Sequence, residues 1–373
     1  MADIFLEDGP EERRPDRARK GRGAVSNRVG RFEPYEREAV DDGWTGAEAE
    51  DDLPPLRTSV AIDATRTIIA RNDSPDIPFD QSINPYRGCE HGCVYCFARP
   101  THAYLGLSPG LDFETKLLMK PDAAVLLERE LRHPKYRPKV IAMGTNTDPY
   151  QPLERTKRIT RSILEVLSAF NHPVGIVTKS WLITRDIDIL APMAAKRLAH
   201  AYISVTTLDS ELARKMEPRA STPAKRIEAI RQQAAAGIPT GVMAAPMIPA
   251  LNDHEMEKIL ETAAEAGATS AGYVMLRLPL EIKDLFIEWL DTHAPGKAKH
   301  VLELIRGARG GERLYESTFG ERMRGTGPYA DLLSKRFKLA RQRLDLDSYR
   351  ARWSFDFSLF QPPPKAGDQM RLL

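Results

Sequence analysis

The middle of the chain alternates short apolar runs with amphipathic stretches. Beyond residue 81, five unbroken and largely apolar runs cover 139–143, 174–178, 201–206, 240–245 and 272–276. Runs of this kind are typical of parallel strands that are buried on both faces. The stretches between them have helical spacing, for example Ile159, Ile163 and Leu167 in the segment 156–170. The pattern therefore predicts repeated βα units.

A short strand just before Cys89 brings the expected number of βα units to about six, fewer than the eight of a closed barrel. We therefore expect an α/β fold with a partial parallel (β/α)6 barrel over residues 58–295. In such folds the functional residues lie on loops that follow the carboxyl ends of the strands. We therefore expect the candidate site residues on those loops.

The two ends of the chain lack this pattern. Residues 13–31 are rich in Lys and Arg and residues 33–52 in Asp and Glu, so 1–57 is predicted to be a disordered charged tail. Residues 296–373 are expected to form a C-terminal loop and a helical extension, with a Gly- and Arg-rich loop at 307–327. In the helix that follows, Leu333 and Phe337 share a face. The basic residues of the tail and of this helix either contact nucleic acid or are simply solvated, and the sequence leaves both interpretations open.

Composition sets limits on location and partners. The 373 residues include 54 basic and 52 acidic side chains, so the net charge of +2 creates no general attraction to nucleic acid. No apolar run approaches the roughly 20 residues of a membrane helix, and the acidic start of the chain does not resemble a secretory signal. We expect a cytoplasmic protein without a membrane span.

All three cysteines of the chain, Cys89, Cys93 and Cys96, lie within eight residues. An odd number on one loop does not form a disulfide framework, which favours metal ligation. A [4Fe-4S] cluster takes four thiolates, so three would leave one iron open for another ligand. The alternative is a zinc site completed by His91 or His102, although zinc ligands are usually split into two separated pairs.

The CxxxCxxC spacing, with Tyr95 just before the third cysteine, resembles that of the radical S-adenosylmethionine superfamily. The resemblance implies that the three cysteines hold a [4Fe-4S] cluster and that the methionine end of S-adenosylmethionine chelates the open iron. It also implies that Tyr95 packs near the adenine. Reductive cleavage of the cofactor would release a 5′-deoxyadenosyl radical, with electrons from a reduced flavodoxin or ferredoxin-type donor.

The string TDPYQPLE at 147–154 resembles that of a branch of uncharacterised proteins related to spore photoproduct lyase. Polar or small residues at the predicted strand ends are further candidates for binding the cofactor. They are Asn146, Asp148, Lys179, Ser204, Arg219, Ala245 and Met247. By the resemblance, the first two face the amino group of the methionine and the last two lie near the adenine.

The polar residues among these candidates suit the carboxylate or ribose of the cofactor. Each also has a plain structural interpretation, as a turn, a helix cap, a backbone partner or, for Arg219, an ion pair with Glu217.

The function expected from the sequence is that of a radical enzyme whose substrate is unknown, with nucleic acid as a candidate through the relation to the lyase. That lyase uses a further cysteine as a hydrogen donor, and this chain has no cysteine outside the CxxxCxxC loop. The catalytic residue therefore stays unassigned. The alternative function is a zinc- or cluster-stabilised nucleic-acid-binding protein without radical chemistry.

Overall fold

The computed structural model of the chain describes residues 18–33, 56–346 and 354–364. Most of the predicted charged tail, 1–17 and 34–55, lies outside these ranges. Within them, no helix has both the length and the apolar character to cross a membrane.

The strands of the described residues form two sheets. In chain order they are β1 (Ser59–Ile62), β2 (Ala70–Arg71), β3 (Gln81–Ile83), β4 (Tyr86–Arg87), β5 (Lys116–Met119), β6 (Ile141–Met143), β7 (Val174–Thr178), β8 (Ala199–Ser204), β9 (Thr240–Met247) and β10 (Ser270–Met275). The larger sheet has the order β10-β9-β8-β7-β6-β3-β2, and the smaller has the order β1-β5-β4.

The larger sheet is parallel from β3 to β10, and only β2 is antiparallel to its neighbour. These six strands follow chain order across the sheet, with β4 and β5 of the smaller sheet between β3 and β6 in the chain. Because they are parallel, every carboxyl end lies on the same edge. The five predicted apolar runs are thus confirmed as strands of a parallel sheet, and β3 supplies the sixth strand, whereas the strand directly before Cys89 is β4 of the smaller sheet. Boundaries differ by two residues: β6 begins later than predicted, β8 and β10 begin earlier, β8 ends earlier, and β9 extends to Met247.

The α-helices pack mainly around this sheet. They are α1 (Leu111–Thr115), α2 (Ala123–Leu131), α3 (Glu154–Lys157), α4 (Ile159–Ala169), α5 (Ile187–Ala195), α6 (Ser210–Met216), α7 (Pro223–Ala235), α8 (Met256–Glu265), α9 (Ile282–His293), α10 (Pro295–Gly307) and α11 (Gly327–Arg343). Short 3-10 helices occupy Arg99–Leu105, Trp181–Asp186 and Asp253–Glu255.

Two helices illustrate how local sequence sets the elements. The α7 helix begins after Thr222, whose hydroxyl accepts a hydrogen bond from Lys225 N, and Pro223 occupies its first turn, which are residue types that helix starts favour. The α11 helix buries Leu333 and Phe337 on one face, which confirms the predicted C-terminal helix. Residues 354–364 lie at the opposite end of the sheet from the strand carboxyl ends, where Gln361 N donates to Phe170 O.

The prediction of a loose N-terminal tail is wrong for residues 18–33, which are packed into the fold. Ala24 and Val25 are buried, and the backbone N–H groups of Gly23 and Ala24 donate to the Glu114 carboxylate at 3.0 and 2.9 Å. Arg22 adds a hydrogen bond to the Glu114 carbonyl oxygen. The charge count misled the prediction because it gave no weight to the short GAV sequence that the flanking basic residues enclose.

Glu114 is fully buried on α1 and also forms an ion pair with Arg99 at 2.5 Å. Both Glu114 oxygens accept hydrogen bonds from buried donors. If the carboxylate were lost, no water could take its place as acceptor. Breaking a buried pair of this kind costs about 3 to 5 kcal/mol, because the remaining charge is left uncompensated.

We therefore expect Glu114→Gln to lower the midpoint of thermal unfolding by several degrees or more, since the new amide group faces N–H donors. The matched control is Glu211→Gln, which removes the same charge from an exposed i,i+4 pair with Lys215. Thermal unfolding followed by circular dichroism compares the two. Equal midpoints for both variants would contradict the role given to Glu114.

Candidate active site at the cysteine loop

The cysteine loop leaves β4 and runs along the carboxyl edge of the parallel sheet. Its backbone is held at Cys89, whose N–H donates to Phe113 O, and at Cys93, whose carbonyl oxygen accepts from Arg99 Nε at 2.9 Å. Gly92 has φ +66°, and a Cβ there would lie 2.7 Å from a Glu114 oxygen. A Cβ on Gly23 would lie 1.7 Å from Gly92 O, so the N-terminal segment packs directly on this loop.

The three thiols are withdrawn from water. Cys89 is 6% exposed and Cys93 8%, and Cys96 is partly buried. Burial raises the pKa of each thiol above its usual range, and for Cys89 the carboxylate of Asp148 and the other two cysteines add to the effect. Three thiolates on one buried loop repel one another, so the deprotonated set requires positive charge such as that of bound metal.

The donor set fits an iron-sulfur cluster better than a single zinc ion. Each of the two histidines that could complete a zinc site has one ring nitrogen engaged, while the buried His102 Nδ1 has no hydrogen-bond partner among the described residues. His91 Nδ1 lies 3.4 Å from Asp148 Oδ2, and His102 Nε2 lies 2.9 Å from Lys116 O. Over the described ranges, no three His, Cys, Asp or Glu side chains are grouped to hold one metal ion. In a cluster each thiolate binds its own iron, so wider spacing is acceptable.

All three cysteines open onto a cavity of about 260 Å³ at the carboxyl ends of the strands. Six of the eight residues predicted to bind the cofactor line the same cavity. They are Tyr95, Asn146, Asp148, Lys179, Ser204 and Ala245. Loops that follow several different strands thus converge on the cysteines, as expected for parallel strands that end at one edge.

Asp148 connects the loops around the cavity. Its two oxygens accept from Tyr150 N at 2.9 Å, Thr178 Oγ1 at 2.6 Å and Lys179 N at 2.7 Å. Burial alone would raise its pKa, but His91 and these hydrogen bonds outweigh burial and lower it to about 2. Asp148 is therefore ionised at neutral pH and joins the ends of β6 and β7 to the cysteine loop.

Lys179 is a cation in the cavity wall without a carboxylate partner among the described residues. Its Nζ lies 5.7 Å from the centre of the Tyr95 ring. Burial lowers its pKa, although the neighbouring Cys93 thiolate opposes this change. A buried ammonium group beside an open cavity is suited to a ligand carboxylate.

Tyr95 is fixed by a buried chain of hydrogen bonds. Its hydroxyl lies 3.1 Å from Thr206 Oγ1, and Thr206 donates to Glu217 Oε1 at 2.5 Å. Glu217 in turn forms a buried ion pair with Arg226. The ring orientation at the cavity is thus set by groups that follow β8 and α6 and by Arg226 on α7.

Two predicted residues lie elsewhere. Arg219 follows α6 and pairs with Glu90 at 3.1 Å, and it does not line the cavity. The expected alternative pairing of Arg219 with Glu217 is not formed, because Glu217 is bound to Arg226. Met247 is fully buried in the main core, at the end of β9. Both predictions about the cofactor remain untested.

Sequence reasoning missed the outer wall of the cavity, formed by Phe97, Arg277 and Met323. Phe97 directly follows the third cysteine and Arg277 comes just after β10, so position alone offered a signal for these two. Met323 offered none, since it belongs to the loop at 307–327 and reaches the site through a hydrogen bond from Met275 N to its carbonyl oxygen.

Sequence comparison identifies relatives over the same region. The model of the radical SAM superfamily matches residues 83–263. An uncharacterised protein of Mycobacterium tuberculosis (strain H37Rv) is 38% identical over 232 residues, 62% of this chain and 68% of the relative. An uncharacterised protein of Methanocaldococcus jannaschii is 27% identical over 173 residues, 46% of this chain and 62% of the relative.

Structure comparison finds the same fold in spore photoproduct lyase. A double mutant of that lyase with bound AdoMet and dinucleoside spore photoproduct has a TM-score of 0.54 at 14% identity, covering 79% of this chain and 85% of the other. The lyase complexed with dinucleoside spore photoproduct has a TM-score of 0.51 at 16% identity, covering 76% and 78%. At these identities the likeness concerns the fold.

The sequence match spans the cysteine loop and the strand ends that surround it, which confirms the family expected from the CxxxCxxC spacing. This chain belongs to the radical SAM superfamily and is a radical S-adenosylmethionine enzyme.

Proposed function

We propose that the enzyme holds a single [4Fe-4S] cluster on Cys89, Cys93 and Cys96 and uses it to cleave S-adenosylmethionine. The products would be methionine and a 5′-deoxyadenosyl radical that acts on a substrate not yet known. The observation that carries the proposal is the convergence of three buried thiols, one unpaired ammonium group and several strand-end loops on one cavity. The cluster would supply one electron to the sulfonium group, whose bond to the 5′ carbon then breaks.

The chain's own residues would bind and orient the cofactor. Lys179 is suited to the methionine carboxylate because its charge has no partner among the described side chains. The side-chain amide of Asn146 and the hydroxyl of Ser204 also border the cavity, and no hydrogen bond engages either within the described residues. Asp148, whose oxygens already accept several bonds, would act mainly by fixing these loops.

The adenine would lie against apolar and main-chain groups. Tyr95 and Ala245 border the cavity and suit a flat ring. Met247 and Arg219 stand outside it, so we propose that they support the site indirectly, through the core and through Glu90. Apolar side chains complete the wall, and they would keep water away from a radical. They are Met243, Val274, Met275 and Met323.

The partial (β/α)6 barrel over residues 58–295 is part of this proposal. Six parallel strands that follow chain order across the sheet support it, as does the shared fold with the lyase structures. The cytoplasmic location and the flavodoxin or ferredoxin-type donor remain predictions. A nucleic-acid substrate is supported by those lyase structures, which hold a dinucleoside spore photoproduct.

Purified without oxygen, the protein is expected to carry about four irons and four sulfides per chain, from the cluster formula. Addition of dithionite and S-adenosylmethionine should yield 5′-deoxyadenosine, measured by liquid chromatography. Cys93→Ala should lose both the iron and the nucleoside while keeping most of its circular dichroism signal. Stoichiometric zinc without any nucleoside would instead support the nucleic-acid-binding alternative.

Lys179→Met is expected to weaken the binding of S-adenosylmethionine by at least about tenfold, since a charge-assisted hydrogen bond contributes roughly 1.5 to 3 kcal/mol. Isothermal titration calorimetry on the cluster-loaded protein measures this loss. The matched control is Lys225→Met, which removes an exposed ammonium group stacked on Trp181. If both variants bind the cofactor as the wild type does and hold equal iron, Lys179 has no role in binding it.

A further inference from the structure

The guanidinium group of Arg277 lies on the outer wall of the cavity with few partners. It follows β10, and among the described residues its one hydrogen bond runs from Nη1 to the Met323 sulfur at 3.5 Å. Its Nε is buried and has no hydrogen-bond acceptor in the part of the chain that the structure describes. No carboxylate lies within ion-pair distance of it there. Asp76, whose carboxylate interacts with Arg277 through space, already accepts from Gly320 N and Arg322.

The Nε of the neighbouring Arg309 also lacks an acceptor among the described residues, but the terminal nitrogens of the neighbouring guanidinium groups have structural acceptors. Arg309 donates to Leu276 O at 2.7 Å and to Glu321 O at 3.1 Å. Arg322 forms an ion pair with Asp76 and donates to Ser74 Oγ at 2.6 Å. These two arginines hold the 307–327 loop in place. Arg277 has no comparable structural bonds and faces the cavity.

A buried N–H without an acceptor is costly, by about 1 to 3 kcal/mol. The planar guanidinium presents several donors in a fork that matches the oxygens of a phosphate. An oxyanion bound at this wall would supply the counter-charge that the Arg277 guanidinium lacks among the described residues. Arg277 also packs against an aromatic ring beside the cavity. Its guanidinium carbon lies 5.1 Å from the centre of the Phe97 ring, and Phe97 is 45% exposed.

A second exposed ring lies on the same loop as Met323. Phe319 is 56% exposed, and the Arg322 guanidinium carbon lies 4.6 Å from its centre. Exposed aromatic rings beside guanidinium groups are the combination that holds nucleic-acid strands, since bases stack on the rings and phosphates bind the cations. This combination favours a phosphate over a carboxylate as the oxyanion at Arg277.

We propose that Arg277 and Phe97 form a phosphate-binding subsite at the outer wall of the cavity, which holds a phosphate of the substrate next to a stacked base. The subsite rests on the proposed function, because it serves a substrate that the radical attacks. It restricts the substrate class to nucleotides or short single strands of nucleic acid.

The test uses the full-length, cluster-loaded protein and a fluorescein-labelled oligothymidylate of about ten nucleotides, with binding followed by fluorescence anisotropy. Arg277→Gln should weaken binding by about tenfold or more, and Arg277→Lys should fall in between because it keeps the charge and loses the fork. The matched control is Arg313→Gln, which removes an exposed guanidinium from the 307–327 loop. Its binding should stay within about twofold of the wild type.

Two further binding measurements identify the kind of phosphate that the subsite holds. An oligothymidylate with neutral methylphosphonate linkages should bind at least about tenfold more weakly, whereas thymidine 5′-monophosphate should displace the labelled strand more effectively than thymidine does. Displacement by the monophosphate would assign the subsite to a single nucleotide, and binding by the strand alone would assign it to a phosphodiester.

The subsite would be overturned if Arg277→Gln and Arg313→Gln weaken binding equally, or if the methylphosphonate strand binds as tightly as the charged one. Absence of any binding by the wild type to either probe would overturn it too. Formation of 5′-deoxyadenosine by the wild type reports on the proposed function separately, so the failure of one is distinguishable from the failure of the other.

Discussion

The position of the cysteine loop depends on charge that is buried beneath it. Glu114 and Arg99 pair with both side chains fully buried, and Glu114 also binds the backbone of residues 23 and 24. A buried carboxylate is tolerated only when its oxygens are fully occupied. Arg99 meets this condition and at the same time donates to Cys93 O, so one pair fixes both the N-terminal segment and the loop.

A second buried pair, Glu217 with Arg226, lies on another side of the loop. It reaches the site through Thr206 and the Tyr95 hydroxyl, and Val94 N donates to Met216 O nearby. The loop is therefore held between two ion pairs from distant parts of the chain. Such double support gives the three thiols a fixed arrangement before any ligand binds, which lowers the ordering cost of binding.

Local patterns in the sequence predicted the parallel strands and the family, because each depends on residues that are close together in the chain. They could not predict contacts between distant segments. The partner of Arg219 is Glu90 rather than the nearby Glu217, and residues 18–33 are anchored by Glu114, about ninety positions away. The role of Arg277 in the outer wall was missed for the same reason. Whether Arg277 has a carboxylate partner depends on which carboxylates pair with other arginines in the folded chain.

A [4Fe-4S] cluster held by three thiolates would leave one iron free to bind S-adenosylmethionine. Electron-nuclear double resonance on the reduced, cluster-loaded protein tests this binding directly, with the cofactor carrying ¹⁵N in its amino group. We expect a resolved ¹⁵N coupling to the cluster, which is lost when the cofactor is omitted. A fully loaded cluster that shows no coupling with saturating labelled cofactor would contradict it.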